Sequence, residues 1–90
     1  MRGKILTLRG RAYRDSTPPL EAVDCIVKGE DLKDYLLLSP RAYLEIDTRL
    51  RAPGDYGFWD NAQVADEVEF EFFEYQSKFV ISKIILLKMR

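Results

Sequence analysis

Residues 65–89, ADEVEFEFFEYQSKFVISKIILLKM, decide the fold class of this chain. Acidic and apolar residues alternate over residues 67–72, which is the period of a strand with one wet face and one buried face. Residues 78–89 are apolar on both faces and rich in β-branched side chains, as expected of a strand that is covered on both sides. The short polar join Gln76-Ser77 predicts that the two arms form a β-hairpin.

Three further segments have the alternation or the β-branched content of strands, and they are residues 4–14, 22–28 and 43–51. Gly10 lies in the middle of the first segment and indicates a bulge or a sharp bend. A long, bent first strand is typical of sheets that curl into a small barrel.

Residues 32–38 fit two structures. Leu32, Tyr35 and Leu36, with Ser39, would line one face of a short helix, and residues 35–38 would also form a buried strand. The turn-like residues 29–31 favour the strand, and Pro40 ends either element because it disfavours helical geometry in the residue before it.

Five or six strands, with turn signals about every 8–12 residues, predict an all-β fold. We expect a small antiparallel OB-like barrel with at most one short helix, formed by residues 1–90 as a single domain, since 47 % of the ninety residues are hydrophobic. Closure of the barrel, or pairing with a second chain, would remove the open edge of the long apolar hairpin.

The closing hairpin is similar to that of a known family. Residues 66–71, Asp-Glu-Val-Glu-Phe-Glu, followed by the apolar residues 79–86, resemble the last strands of cold-shock-type and related OB barrels. In those barrels an Asp-x-Val-x-Phe run precedes a final strand rich in valine and isoleucine. The resemblance implies a barrel. The aromatic RNA-binding runs of that family are not found in this sequence, so no functional residue is carried over.

Charge is distributed unevenly, although the net charge is only −1. Residues 1–14 and 78–90 contain basic side chains and no acidic ones, whereas residues 52–77 contain acidic side chains and no basic ones. In one interpretation the acidic strand forms cross-strand pairs with the basic strands, each worth about 0–1 kcal/mol. In the other, a bipolar surface steers binding partners.

The residues that common catalytic sites require are absent from the sequence. The chain has no histidine and one cysteine, Cys25, which excludes Ser-His, Cys-His and His-ligated metal sites and an internal disulfide. The acids Glu67, Glu69 and Glu71 alternate as a solvated face does. The sequence therefore predicts a protein that is not an enzyme and that uses no cofactor or metal.

The longest apolar run has four residues, 84–87, against the roughly 20 that a membrane helix needs. The first residues show no signal-peptide pattern. A cytoplasmic protein with no membrane partner is therefore expected. A 32 % content of charged residues with one asparagine is typical of thermophilic proteins.

Residues 52–63 are the first candidate for a binding site. They carry Tyr56, Phe58 and Trp59 among prolines and glycines, and exposed rings would stack on bases, on sugars or on a protein partner. The alternative is that these rings fold back as a lid on the open end of the barrel.

The basic first strand is the second candidate, because Arg9, Arg11 and Tyr13 alternate onto one face. Arginines that neutralise phosphates around a ring that stacks bases are typical of a groove for single-stranded nucleic acid. The alternative is that these arginines pair with the acidic strand.

The sequence thus favours a non-enzymatic binding module that contacts single-stranded DNA or RNA through these two candidate stretches. The alternative is a protein–protein interaction module, as an assembly subunit of a larger complex. An exposed strand edge would also allow the chain to form a homo-oligomer.

Overall fold

The structure is a computed structural model that describes residues 1–8 and 23–87. The chain is mostly β, with five strands in one mixed sheet: β1 (Arg2–Leu8), β2 (Val23–Gly29), β3 (Asp34–Leu38), β4 (Glu67–Tyr75) and β5 (Lys78–Leu86). Two short helices, α1 (Pro40–Ile46) and α2 (Tyr56–Asn61), lie between β3 and β4. The prediction of a predominantly β chain is confirmed.

Each strand pairs with two neighbours. β1 pairs antiparallel with β2 and with β4, β2 with β3, and β4 with β5, while β3 and β5 run parallel with Leu36 opposite Val80. The pairs therefore follow one another in the cycle β1-β2-β3-β5-β4 and back to β1. The prediction of a purely antiparallel sheet is wrong, because the long connection between β3 and β4 returns the chain so that β5 lies beside β3 in the same direction.

The closing hairpin forms as its sequence predicts. The pairs run from Val68 opposite Leu86 to the strand ends beside the turn. Gln76 and Ser77 have φ values of 51° and 65°, and two left-handed residues make the tight turn whose twist matches that of paired strands. Coverage of β5 on both faces is only partial, since Ile85 is 49 % exposed on the outer face.

Residues 32–38 form a strand rather than a helix, as the turn before them indicates. β3 begins at Asp34, and Leu32 lies in the preceding turn with φ 67° and 78 % of its surface exposed. The ring of Tyr35 points into the core, where it contacts the rings of three residues on β4 and β5. The core cluster contains Ile5, Cys25, Val27, Tyr35, Leu37, Phe58, Val68, Phe70, Ile81 and Ile84.

The prediction of a strand over residues 43–51 is wrong, and so is the limit of one helix. α1 has Pro40 at its start, where the fixed φ of proline and its missing N–H suit a helix. α2 begins after Asp55, whose carboxylate accepts a hydrogen bond of 2.9 Å from the N–H of Phe58 and so caps the helix. Two local helix-start signals therefore outweigh the alternation of apolar residues.

Tyr43 connects α1 to both strands of the parallel pair. Its hydroxyl donates to the carbonyl of Ile81 in β5 and accepts from the N–H of Leu38 in β3 at 3.3 Å. The side chain is 1 % exposed, and burial raises the pKa of its hydroxyl. The Tyr43 hydroxyl thus binds one backbone N–H of β3 and one backbone carbonyl of β5. These two strands share only one residue pair of their own.

We predict that Tyr43→Phe destabilises the fold. The change leaves the Leu38 N–H and the Ile81 carbonyl without this partner, which costs roughly 1–3 kcal/mol. The matched control is Tyr56→Phe, at a side chain that is 82 % exposed, with an expected change within about 0.5 kcal/mol. Urea unfolding followed by circular dichroism measures both variants, and equal free energies of unfolding would contradict the structural role of the Tyr43 hydroxyl.

Candidate functional site

The directions of the strands assign every connection to one of two ends of the sheet. β1, β3 and β5 run in one direction, and β2 and β4 run in the other. β1, β3 and β5 therefore end at the same end of the sheet, which we call the helix end because both helices follow β3 there. The β2–β3 and β4–β5 turns lie at the opposite end, the turn end.

Arginines are concentrated in the segments that start or return at the helix end. These segments are residues 9–22, 39–66 and 88–90. Seven of the eight arginines belong to them, namely Arg9, Arg11, Arg14, Arg41, Arg49, Arg51 and Arg90, and the eighth is Arg2. Five of the six lysines lie instead on the strands or at the turn end, namely Lys4, Lys28, Lys33, Lys78 and Lys83. Arginine has a planar head group that matches phosphate, and Arg41, Arg49 and Arg51 are the members of this set within the described residues.

Arg41, Arg49 and Arg51 are all exposed. The guanidinium of Arg49 donates to the carboxylate of Asp47 at 2.9 and 3.2 Å, and this contact lowers the pKa of that carboxyl. The guanidinium of Arg51 donates to two neighbouring backbone carbonyls at 3.0 and 3.3 Å. Each guanidinium has five N–H donors, so both retain donors for a ligand.

Sequence reasoning did not single out Arg41, Arg49 or Arg51 as candidate binding residues. It placed residues 43–51 on a strand, where Arg49 and Arg51 would share a sheet face. The signal that was present is the Ser39-Pro40 pair, because a serine followed by proline is a typical start of a helix. α1 occupies Pro40–Ile46, so that Arg49 and Arg51 lie in the irregular segment after it.

The three rings of the predicted aromatic stretch have different environments. Tyr56 is 82 % exposed at the start of α2. Phe58 is 4 % exposed within the core, and Trp59 is half-buried with its ring edge-on to that of Phe58 at 5.2 Å. Phe58 and Trp59 therefore pack inward, and Tyr56 is the exposed ring of the three.

Arg9, Arg11 and Tyr13 lie outside the described residues, and their role stays a prediction. Arg9 directly follows Leu8, the last residue of β1, at the helix end. The topology thus starts the basic stretch at the same end of the sheet as α2.

A groove of about 460 Å³ lies between α2 and the last residues of β5. Its polar groups are the Asp55 carboxylate, the Asn61 amide and the Lys83 ammonium, while Ile85 supplies an apolar wall. Gly54 borders the groove with φ 89°, and a Cβ there would lie 3.1 Å from the Phe58 and Trp59 rings. The Asp55 carboxylate is already engaged in capping α2, so the groove offers ligands one cation and little free acid.

The acidic face of β4 lies opposite basic residues. Arg2 of β1 is in register with Glu69, and Lys83 of β5 is in register with Glu71. Lys4 faces Glu67 in the same way. Directly opposed unlike charges support strand pairing. The register therefore supports the interpretation of these acids as structural counterparts of the basic strands.

Three buried side chains of the described residues, Cys25, Tyr35 and Tyr43, have a raised pKa. Burial, followed by the charge of Asp24, raises the pKa of Cys25 to about 12, and its thiol is 0 % exposed. Burial and a 2.6 Å hydrogen bond to Asp31 raise the pKa of Tyr35 to about 12.

Over residues 1–8 and 23–87, no cluster of three or more acidic or cysteine side chains could hold a metal ion. Neither helix in that part of the chain is long or apolar enough to span a membrane.

We predict that alkaline pH destabilises the fold through Cys25. The thiol ionises near pH 9 in an unfolded chain and near 12 in the folded one, so the unfolded state binds fewer protons between these values. The free energy of unfolding is therefore expected to fall as pH rises above about 9. Urea titrations between roughly pH 8 and 10.5 measure this decline. In Cys25→Ala this decline begins about one pH unit higher, where the buried tyrosines take over. Identical profiles for both proteins would contradict the prediction.

Comparisons of the chain with protein-family models, with curated proteins and with solved structures found no match. Its function is therefore inferred from its own residues.

Proposed function

We propose that this protein is a non-enzymatic binding module that binds single-stranded DNA or RNA at the helix end of an OB-like barrel. The observation that carries the proposal is the concentration of arginine in the three segments that start or return at that end. Tyr56 adds an exposed ring at the same end. Guanidinium groups neutralise the phosphates and the ring stacks on a base.

Two features of the described fold support the barrel. The strand pairs form the cycle β1-β2-β3-β5-β4, and both helices lie between β3 and β4. The OB fold is a five-stranded Greek-key barrel. It binds oligonucleotides through the face of its second and third strands and through neighbouring loops. A fold alone does not establish a function, so the proposal depends on the arginines rather than on the barrel.

The β2–β3 face of this chain differs from a stacking platform. Ile26 lies opposite Leu36 on the outer side of these strands, and both are half-buried. The Lys28 ammonium forms an ion pair of 2.8 Å with the Asp34 carboxylate. This face therefore offers an apolar surface with a neutralised lysine, and the helix end supplies the cations and the ring.

The charge of the strands favours a second candidate, an interaction with a protein. β4 contains the acidic residues Glu67, Glu69, Glu71 and Glu74 and no basic residue. The outer face of β4 in particular would repel phosphate. A protein partner with a basic surface would instead be attracted to it.

We predict that arginine substitutions at the helix end weaken oligonucleotide binding. The test is fluorescence anisotropy with labelled oligothymidylate and oligouridylate at several salt concentrations. The triple variant Arg41→Gln, Arg49→Gln, Arg51→Gln is expected to bind more weakly, and the slope of log K against log salt falls by about 2, since each phosphate contact to a single strand contributes about 0.7. Tyr56→Ala weakens binding by roughly 5- to 150-fold, the equivalent of about 1–3 kcal/mol of stacking.

The matched control replaces three lysines away from the helix end, Lys28→Gln, Lys33→Gln and Lys78→Gln, which removes the same charge. If nucleic acid binds at the helix end, the lysine variant loses less affinity than the arginine variant, and its salt slope stays nearer to that of the unmodified protein. Equal losses would indicate nonspecific attraction. If the unmodified protein binds no oligonucleotide at low salt, the proposal is wrong and the protein-interaction candidate remains.

A further inference from the structure

The outer edge of β4 is covered over only part of its length. β1 pairs with residues 67–69, and Met1 exchanges two hydrogen bonds of 2.8 Å with Phe70, one in each direction. Residues 71–75 pair with β5 on one side, and no described strand lies on the other side. The outer half of the hairpin therefore has an open edge within the described residues.

The hydrogen bonds of β4 identify the backbone groups at this edge. The N–H and the carbonyl of Phe70 both point toward β1, whereas the carbonyl of Glu67 accepts from the Leu87 N–H on the other side. Backbone groups of successive residues alternate between the two sides of a strand. The register shift between Glu71 and Phe72 places its extra residue, Ser82, on β5, so β4 itself keeps this alternation. Phe72 and Glu74 therefore present one donor and one acceptor each to the open edge.

We propose that this edge pairs antiparallel with the same edge of a second copy of the chain, with the two-fold axis at Phe73. Phe72 of each copy then lies opposite Glu74 of the other. These residues exchange N–H···O bonds in both directions, so that two such pairs give four hydrogen bonds across the axis. Phe73 faces its own equivalent as a non-hydrogen-bonded pair.

The two neighbouring two-fold registers either oppose like charges or leave open backbone groups without a partner. An axis at Glu74 places two glutamates directly opposite each other, which is destabilising. An axis at Phe72 pairs Glu74 with Phe70, whose backbone groups already bind Met1. The axis at Phe73 is the register among these that uses all four open backbone groups and opposes no like charges.

The side chains are complementary in this register. Glu71 of one copy lies opposite Tyr75 of the other, and the Tyr75 hydroxyl can donate a hydrogen bond to the Glu71 carboxylate. Within each copy, Tyr75 is paired with Lys78 of β5. Phe72 and Tyr75, 38 % and 36 % exposed, become covered. A five-residue contact buries much less than the roughly 1,200 Å² of a stable interface, so the dimer dissociates on dilution.

Sedimentation velocity without nucleic acid tests the proposal. Over about 10 µM to 1 mM, the weight-average mass is expected to rise from the monomer toward the dimer, as a small interface requires. Phe73→Lys is expected to abolish this rise, because it places two ammonium groups face to face. The matched control is Ile85→Lys, at an exposed residue of the same sheet face on β5, and it keeps the rise.

Cysteine cross-linking tests the register. Non-hydrogen-bonded partners have Cα atoms about 4.5 Å apart, within the range of a disulfide, so Phe73→Cys is expected to form a covalent dimer under oxidation. Tyr75→Cys is not, because its partner is Glu71, and the buried Cys25 does not compete. A monomer at every concentration overturns the proposal, as does a dimer that survives Phe73→Lys or that cross-links equally through Tyr75→Cys.

Discussion

The parallel contact between β3 and β5 is the constraint on which the rest of the structure depends. It consists of one residue pair, Leu36 opposite Val80, whereas the antiparallel pairs extend over three to eight residue pairs. Two tyrosines reinforce it. The Tyr43 hydroxyl binds a backbone group of each strand, and the Tyr35 ring packs at 5.3 Å against Phe79 of β5. Side chains thus supply the cohesion that the backbone ladder lacks, and both hydroxyls have partners, as buried tyrosines require.

The antiparallel pairing of β2 with β1 and with β3 decides at which end of the sheet the segment after β3 starts. Because β3 runs in the direction of β5, the connection that follows β3 starts at the end of the sheet where β1 and β5 also end. Arg41, Arg49 and Arg51 belong to that connection, and the other arginines except Arg2 follow β1 or β5 in the sequence. With β3 reversed, residues 39–66 would start at the turn end, and the proposed phosphate-binding surface would lose Arg41, Arg49 and Arg51.

Local patterns predicted the elements that depend on neighbouring residues. The hairpin of β4 and β5 follows from its period of two and from a two-residue turn, and β3 follows from the turn before it. Residues 43–51 were predicted wrongly, because Leu44 and Ile46 alternate as in a strand while the helix-start signal lies outside the window at Pro40. The parallel contact could not be predicted, since it joins residues 44 positions apart and leaves no local pattern. For the same reason, a charge pattern read along the chain predicted a basic first strand and could not show at which end of the sheet residues 39–66 begin.

The exposure of aromatic side chains was equally beyond the sequence. Tyr56, Phe58 and Trp59 belong to one short segment, yet the first is exposed and the second lies in the core. The Asp55 cap fixes the start of α2, and the direction of each ring follows from that start. Of the three rings in this segment, Tyr56 is thus the exposed one.

Native-state hydrogen exchange of the backbone amides of β3 and β5 tests the role of the parallel contact most directly. If this contact closes the cycle of strands, the protected amides of both strands exchange only through global unfolding, with the same free energy of opening and the same dependence on denaturant. If β3 amides exchange through a smaller opening while the β4–β5 hairpin stays protected, the parallel contact does not hold the sheet together, and the account is contradicted.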